Sequence, residues 1–432
     1  MLKKNILFLS LFIIIVYGLT ISCSTTEPPD PPPVVKPTLT LELEDAHCTE
    51  AWLQLATKDL TLPAELILKQ FNPTGDSVSQ TFRLSTKDTL LYIDSLLPNQ
   101  TYYYQVSSNQ SATGGQVSSI KQLVITMDTT SYNFTFETIT FGGQIGSSVL
   151  FDVAIINENN IWAVGEIWIA DTSALGYTKY NAVHWDGNSW ELKRIRTNSC
   201  GGVEYPPIKA IFAFSAGDIL FAHIDGSITH FNGLNFINDC SLISQLNGSA
   251  NKIWGLSKDD YYVVSGNGFI AHYNGQSWQR IESGTTLNIN DIWGDYNQKT
   301  GEWEILAVAG NILQGTENQV LKISNNSSTH IKNANINWPL RSLWFESARN
   351  YYVAGSGIFQ KHLLSDSFWL NDIFSITTYS INRISASAIN DIIATGGAGE
   401  VIHFNGYSWK SYIENTQLIS GNYYGCSIKV TK

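Results

Sequence analysis

Histidine and carboxylate side chains recur at fixed places in this 432-residue sequence. A seven-residue pattern, His-aromatic-Asp/Asn-Gly-x-Ser/Asn-aromatic, occupies His184–Trp190, His230–Phe236, His272–Trp278 and His403–Trp409. A metal centre needs ligands that converge at coordination spacing. One imidazole per repeat does not supply that, so these histidines read as structural. His47, His223, His330 and His362 are scattered, again without ligand spacing. No metal and no other cofactor is expected. Gly266-Asn267-Gly268, Gly355-Ser356-Gly357 and Gly397-Ala398-Gly399 precede strand-like rather than helix-like runs, so they read as hairpin turns and not as phosphate cradles. Asp218, Asp259, Asp260 and Asp391 fall in turn-like stretches where solvated side chains are expected. A catalytic carboxylate pair would have to be assembled from separate repeats. No catalytic residue is assigned.

Aromatic side chains offer the better binding candidates. Apolar positions at Val153, Ile211, Ile253, Ile292, Leu343 and Ile384 recur at spacings of 39 to 58 residues. Trp254, Trp293 and Trp344 each follow one of these anchors directly, and Phe212 does so in the second unit. Lys252, Asp291 and Arg383 directly precede anchors. If the anchors ring a common axis, these seven residues form an aromatic arc and a polar belt near one funnel. The competing role for such aromatics is packing between neighbouring repeats.

Something must hold these positions in register, and the repeat supplies it. Unit three divides into Ile253–Leu256, Tyr261–Ser265, Gly268–Tyr273 and Ser277–Ile281, with Asn274-Gly275 giving the positive φ that a tight hairpin needs. Four short strands in about 40 residues, repeated around an axis, predict a β-propeller. Six units are complete. Phe134–Phe141 resembles a closing strand and Tyr423–Val430 an opening one, so a seventh blade built from both segments is expected, and six blades remain the alternative. The repeats resemble bacterial extracellular propellers of the photosystem-assembly-factor-like and sialidase-like groups. The sialidase Asp-box, however, separates its Asp and Gly, which are adjacent here at Asp186-Gly187.

Residues 38–128 read as seven short strands, the number a β-sandwich needs. Turn residues at Asn72-Pro73-Thr74-Gly75 and Ser111–Gly115 divide them. Leu96-Leu97-Pro98-Asn99-Gln100-Thr101-Tyr102 resembles the E–F corner of fibronectin type III domains. That resemblance implies that Tyr102 bonds back across the corner, in a spacer or adhesion module. The fold expected overall is therefore all-β: a fibronectin type III-like sandwich at 38–128, then a propeller at 129–432.

The first 37 residues carry an address. Lys3 and Lys4 precede an apolar run from Ile6 to Leu19, then Thr20-Ile21-Ser22-Cys23. This resembles the lipobox of bacterial lipoproteins and implies a signal peptide at 1–22 and a lipid on Cys23, with Thr20 standing where the family usually has Leu. Residues 23–37 hold half of the 12 prolines. Extended at about 3.1 Å per residue, they form a tether of roughly 40 Å. The expected location is the bacterial cell envelope, with the chain lipid-anchored and facing the periplasm or the exterior.

With 26 basic residues against 37 acidic ones the formal charge is −11, and no basic run follows Lys3-Lys4. Nucleic acid, which requires phosphate neutralisation, is not an expected partner. Cys200 and Cys240 both follow the closing strand of adjacent units, so an exported chain is expected to join them. The function expected is a binding or assembly platform for a glycan or protein ligand. A glycan-active enzyme (glycosidase or glycosyltransferase-like) and a structural envelope component are the alternatives.

Overall fold

The computed structural model describes residues 36–72, 76–108, 116–197, 200–246, 248–312, 315–333, 335–370, 376–416 and 421–429. The leader, Cys23 and most of the proline tether lie outside them, as do the turns at 73–75 and 111–115. No α-helix occurs among the described residues.

Eight strands form the N-terminal domain: β1 (Thr38–Ala46), β2 (Ala51–Lys58), β3 (Ala64–Phe71), β4 (Ser77–Leu84), β5 (Asp88–Ile93), β6 (Thr101–Ser108), β7 (Val117–Ser118) and β8 (Gln122–Ile125). One sheet has the order β1-β2-β5 and the other β4-β3-β6-β7, with β8 also paired to β6. Alternation decides which side chains go inside: Leu39 and Leu41 are buried while Thr38, Thr40 and Glu42 face out. Leu53, Leu55, Leu66, Tyr104 and Val106 complete a core shared by both sheets. At the β5–β6 connection the Leu97 N–H donates to the Tyr102 hydroxyl, 2.9 Å away.

The rest of the chain is a β-propeller. Six antiparallel sheets follow one another in sequence, each a simple meander; five have four strands and the fifth has three among the described residues. Their inner strands are Val149–Asn157, Ile208–Ser215, Ala250–Ser257, Ile289–Asn297, Ser342–Phe345 and Ile381–Ala388, and each packs beside the next. The second strands read differently from those of the sandwich. Asp260–Ser265 is buried at five successive positions because neighbouring blades cover both of its faces.

In four blades the Asp/Asn-Gly motif closes the hairpin between third and fourth strands as a four-residue loop. Asn274 Oδ1 accepts the Gln276 and Ser277 N–H groups at 3.1 and 2.9 Å, and Asp186, Asn232 and Asn405 do the same in their blades. The next residue must take φ of 85–93°, as Gly187, Gly233, Gly275 and Gly406 do, which is why glycine recurs there.

Cys200 and Cys240 form a disulfide between the segments leaving the first and second blades, with Cα atoms 5.1 Å apart. It spans 40 residues, so its removal is expected to cost about 2–4 kcal/mol. Denaturant midpoints of the wild type and of Cys200→Ser measure this. Identical midpoints would contradict it.

The sandwich docks on the propeller face that carries the hairpin loops. Arg349 binds Glu44 and Asp45 at 2.9 and 2.8 Å, and Lys299 reaches Glu44 at 2.8 Å. Asn390 donates to the Asp128 carbonyl at 3.0 Å. Cys48 packs so closely on Gly406 that a Cβ there would collide with its sulfur.

Candidate functional site

Each repeat histidine is held within its own blade by a residue at the start of the second strand, twelve positions earlier in three blades and twenty-four in the first. His230 meets Asp218 at 2.7 Å, His272 meets Asp260 at 2.7 Å, His403 meets Asp391 at 2.8 Å, and His184 meets Asn160 at 3.0 Å. The register places each imidazole opposite a bulky apolar residue, and His184 and His272 stack on Trp162 and Tyr262. Asp218, Asp260 and Asp391 are therefore not free turn residues, as their setting in the sequence suggested. They accept from the repeat histidines. Burial pushes the Asp391 carboxyl up, but hydrogen bonds from His403 and Ser387 outweigh it and leave it below the usual range.

All seven binding candidates reach one place. The six anchors surround an axial cavity of 150 Å³, whose wall also includes Phe212, Lys252, Trp254, Asp291, Trp293, Trp344 and Arg383. The polar belt is already paired. Lys252 Nζ lies 2.8 Å from Asp152, and Arg383 Nη1 lies 2.9 Å from Asp291. Asp152 also accepts the Ile211 N–H at 3.1 Å, while Asp291 accepts the Leu343 N–H at 3.1 Å and the Ser342 hydroxyl. These carboxylates tie inner strands of different blades together and close the belt electrically.

The aromatic arc divides. Trp254 and Trp344 are buried in cores between blades. The Trp254 ring packs directly on Gly294, which has no room for a Cβ, and Trp344 lies near Tyr352. Their side chains serve packing rather than an open funnel. Phe212 and Trp293 remain half-buried on the cavity wall, with the Trp293 indole donating to the Phe345 carbonyl at 3.2 Å.

Sequence reasoning missed two neighbours, Tyr296 and Trp303. They sit opposite each other where the inner and second strands of the fourth blade extend to nine residues each. Their ring centroids are 5.6 Å apart, and Trp303 stands edge-on to Trp254 at 5.8 Å. Trp303 is 44 % exposed and Tyr296 38 %, which separates them from the buried tryptophans. The available signal was the 51-residue spacing from Ile292 to Leu343, which leaves room for a longer hairpin around Trp303.

A second cavity, of 510 Å³, lies between the sandwich and blades five and six. Glu50, buried there, accepts from Tyr92 at 2.7 Å and from Asn350, and meets His47 and His362 at 3.3 Å each. Nothing in the repeat marks this cluster, because only domain docking joins His47 and Glu50 to Asn350 and His362. Asp45, His47 and Glu346 lie within 4.8 Å of one another, a possible ligand set for a cation. The set does not suit one, because Arg349 already binds Asp45 at 2.8 Å and His47 is held as a cation.

Burial pushes the His47 imidazole down, but hydrogen bonds to Asp45 and Glu50 outweigh it and hold it at about 9. Burial likewise raises the Asp45 carboxyl, and His47 and Arg349 overturn that to about 2. Because the His47 value is raised from 6.5, its contribution is complete below that pH and lost as pH rises through about 9. Because the Asp45 value is lowered from 3.8, its contribution is present above that pH and lost as pH falls through about 2. The Asp45–His47–Glu50 network of the sandwich is therefore expected to be firmest between those two ordinary values. Denaturant midpoints of the sandwich across pH measure it, and equal midpoints at pH 6 and pH 10 would contradict it.

No family model and no curated protein matches this chain. Among solved structures, one described as YCF48 bound to D1 peptide is similar at 15 % identity and TM-score 0.47, covering 63 % of this chain and 84 % of that one. The WD40 β-propeller domain of Doa1 is similar at 11 % identity and TM-score 0.40, covering 62 % and 83 % respectively.

Proposed function

We propose that the chain is a lipid-anchored, extracytoplasmic binding or assembly protein whose propeller takes a protein or glycan ligand. One observation carries this reading. The histidines of the repeat and the charges of the axial belt are paired within the fold, whereas Tyr296 and Trp303 remain exposed as an aromatic pair beside the channel wall. Rigid aromatic surface of this kind serves protein side chains and sugar rings alike. Lys299, at the tip of the same hairpin, bridges to the sandwich, so the pair stands on the side of the ring where the second domain docks.

The sandwich acts as the stalk. Its sheet order and the Tyr102 hydrogen bond support a fibronectin type III-like module. The ring is counted as seven blade places: Tyr423 to Lys429 lies inside and Phe134 to Phe141 outside, between the sixth and first sheets. Tyr423 N–H donates to the Gly396 carbonyl at 3.0 Å, and Phe134 and Phe141 pack on Tyr412 and Trp190.

The test is a screen of glycan and peptide arrays with the full chain, followed by the same screen with Trp303→Ala. Signals that Trp303→Ala leaves intact would sink this placement of the site. For the anchor, Cys23→Ala is expected to abolish incorporation of labelled palmitate and to release the protein or leave its precursor. Equal labelling of the variant would remove the lipid from the account.

A further inference from the structure

Docking of the two domains forms the 510 Å³ cavity beside Glu50, a volume in the range of small-ligand pockets and at a domain boundary, where such pockets concentrate. Its inner wall is a fixed hydrogen-bond network. Asn350, 1 % exposed, donates to Glu50, and its side-chain carbonyl accepts from Gln360 at 2.8 Å and meets His362 at 2.7 Å. Tyr92 of the sandwich donates to Glu50 at 2.7 Å, and its ring lies 4.5 Å from that of His362. Charge within the wall is balanced. His47 lies 3.3 Å from Glu50 and 3.5 Å from Asp45, and Arg349 pairs with Asp45 as well. A charged ligand of either sign therefore meets no unpaired buried counter-charge among the described residues. Neutral polar groups and ring surface remain. Thr49, Gln360 and Asn390 line the cavity with a hydroxyl and two amides, and Asp94 adds an exposed acceptor at the rim. Tyr407 lines it too, 55 % exposed. It occupies the variable place of the hairpin motif in blade six, where three other blades have Asn188, Leu234 and Gln276. Asn405 fixes that loop by accepting the Tyr407 N–H at 3.0 Å.

We infer that this cavity is a second binding site, separate from Tyr296 and Trp303, and that it takes a neutral sugar ring. The apolar face of the ring stacks on Tyr407, and its hydroxyls bond to Asp94, Gln360 and Asn390. The choice of ligand follows from the wall. A sugar needs an aromatic face beside several hydrogen-bonding side chains, and both domains contribute to that set here. The wall is already held by its own hydrogen bonds, so little ordering is left for the ligand to impose. A single ring has about a dozen heavy atoms, and ordinary ligand efficiency gives it a dissociation constant of about 1 mM. Binding that weak does not survive the washing of an array, so it stays out of the signals that test Trp303.

The probes are free glucose, galactose and N-acetylglucosamine, with glucosamine and glucuronate as charged counterparts. The readout is saturation-transfer NMR on the full chain in a detergent that carries no sugar. At least one neutral sugar is expected to receive saturation from the protein. Tyr407→Ala and Asp94→Ala each change an exposed side chain, so both should melt like the wild type while weakening that sugar at least tenfold. No transfer to any of the three neutral sugars would overturn the inference. So would tighter binding of glucosamine or glucuronate, or wild-type affinity in either variant. Trp303→Ala should leave the transfer intact, so failure here and failure of the aromatic pair are separable.

Discussion

Asp291→Ala is expected to destabilise the propeller by about 3–5 kcal/mol, the range for breaking one partner of a buried ion pair. Asp291 is 3 % exposed and joins three inner strands: its own, that of Ser342 and Leu343, and that of Arg383. Truncation leaves the Leu343 N–H without its acceptor and the Arg383 guanidinium without its nearest carboxylate. The larger part of the loss comes from that stranded charge. The double variant Asp291→Ala, Arg383→Met should therefore recover much of it, a non-additivity that a double-mutant cycle reads directly. Thermal and denaturant midpoints are the measurements. A single variant within about 1 kcal/mol of wild type would show that the belt is not what ties the blades together, since that is the range of an exposed pair.

Trp254→Ala is the second large effect, expected at about 3–5 kcal/mol as a core truncation. Its ring fills the space between blades three and four, against Gly294 on one side and Tyr262 and Trp303 on others. Trp344→Ala should behave alike, because its ring lies in the equivalent core between blades five and six. Both losses should appear as falls in melting temperature rather than as a selective loss of binding. A Trp254→Ala protein that melts like wild type would return that ring to the open wall of the channel.

Much of this arrangement was legible because repeats report their own geometry. Anchors at Val153, Ile211, Ile253, Ile292, Leu343 and Ile384 share one environment, so their neighbours had to meet near one axis, and they do. What the repeat could not reveal was depth. Trp254 and Trp293 hold the same position in consecutive units, yet one is buried and the other half-buried, because each meets a different neighbouring blade. The His–Asp pairs were in plain view at a constant twelve-residue offset, but without a strand register the carboxylates looked like turn residues. The Glu50 cluster was illegible for a different reason. Its members lie 300 residues apart, and only the docking of two domains brings Glu50 to Asn350.

Tyr296 and Trp303 carry the functional claim, so the decisive measurement sets stability beside binding in Trp303→Ala. The ring is 44 % exposed, and its removal should shift the melting temperature little. Affinity for whichever array ligand the wild type retains should fall at least tenfold, about 1.4 kcal/mol. Unchanged melting with lost binding is the result this account predicts. Wild-type affinity in Trp303→Ala, with the fold intact, would contradict it.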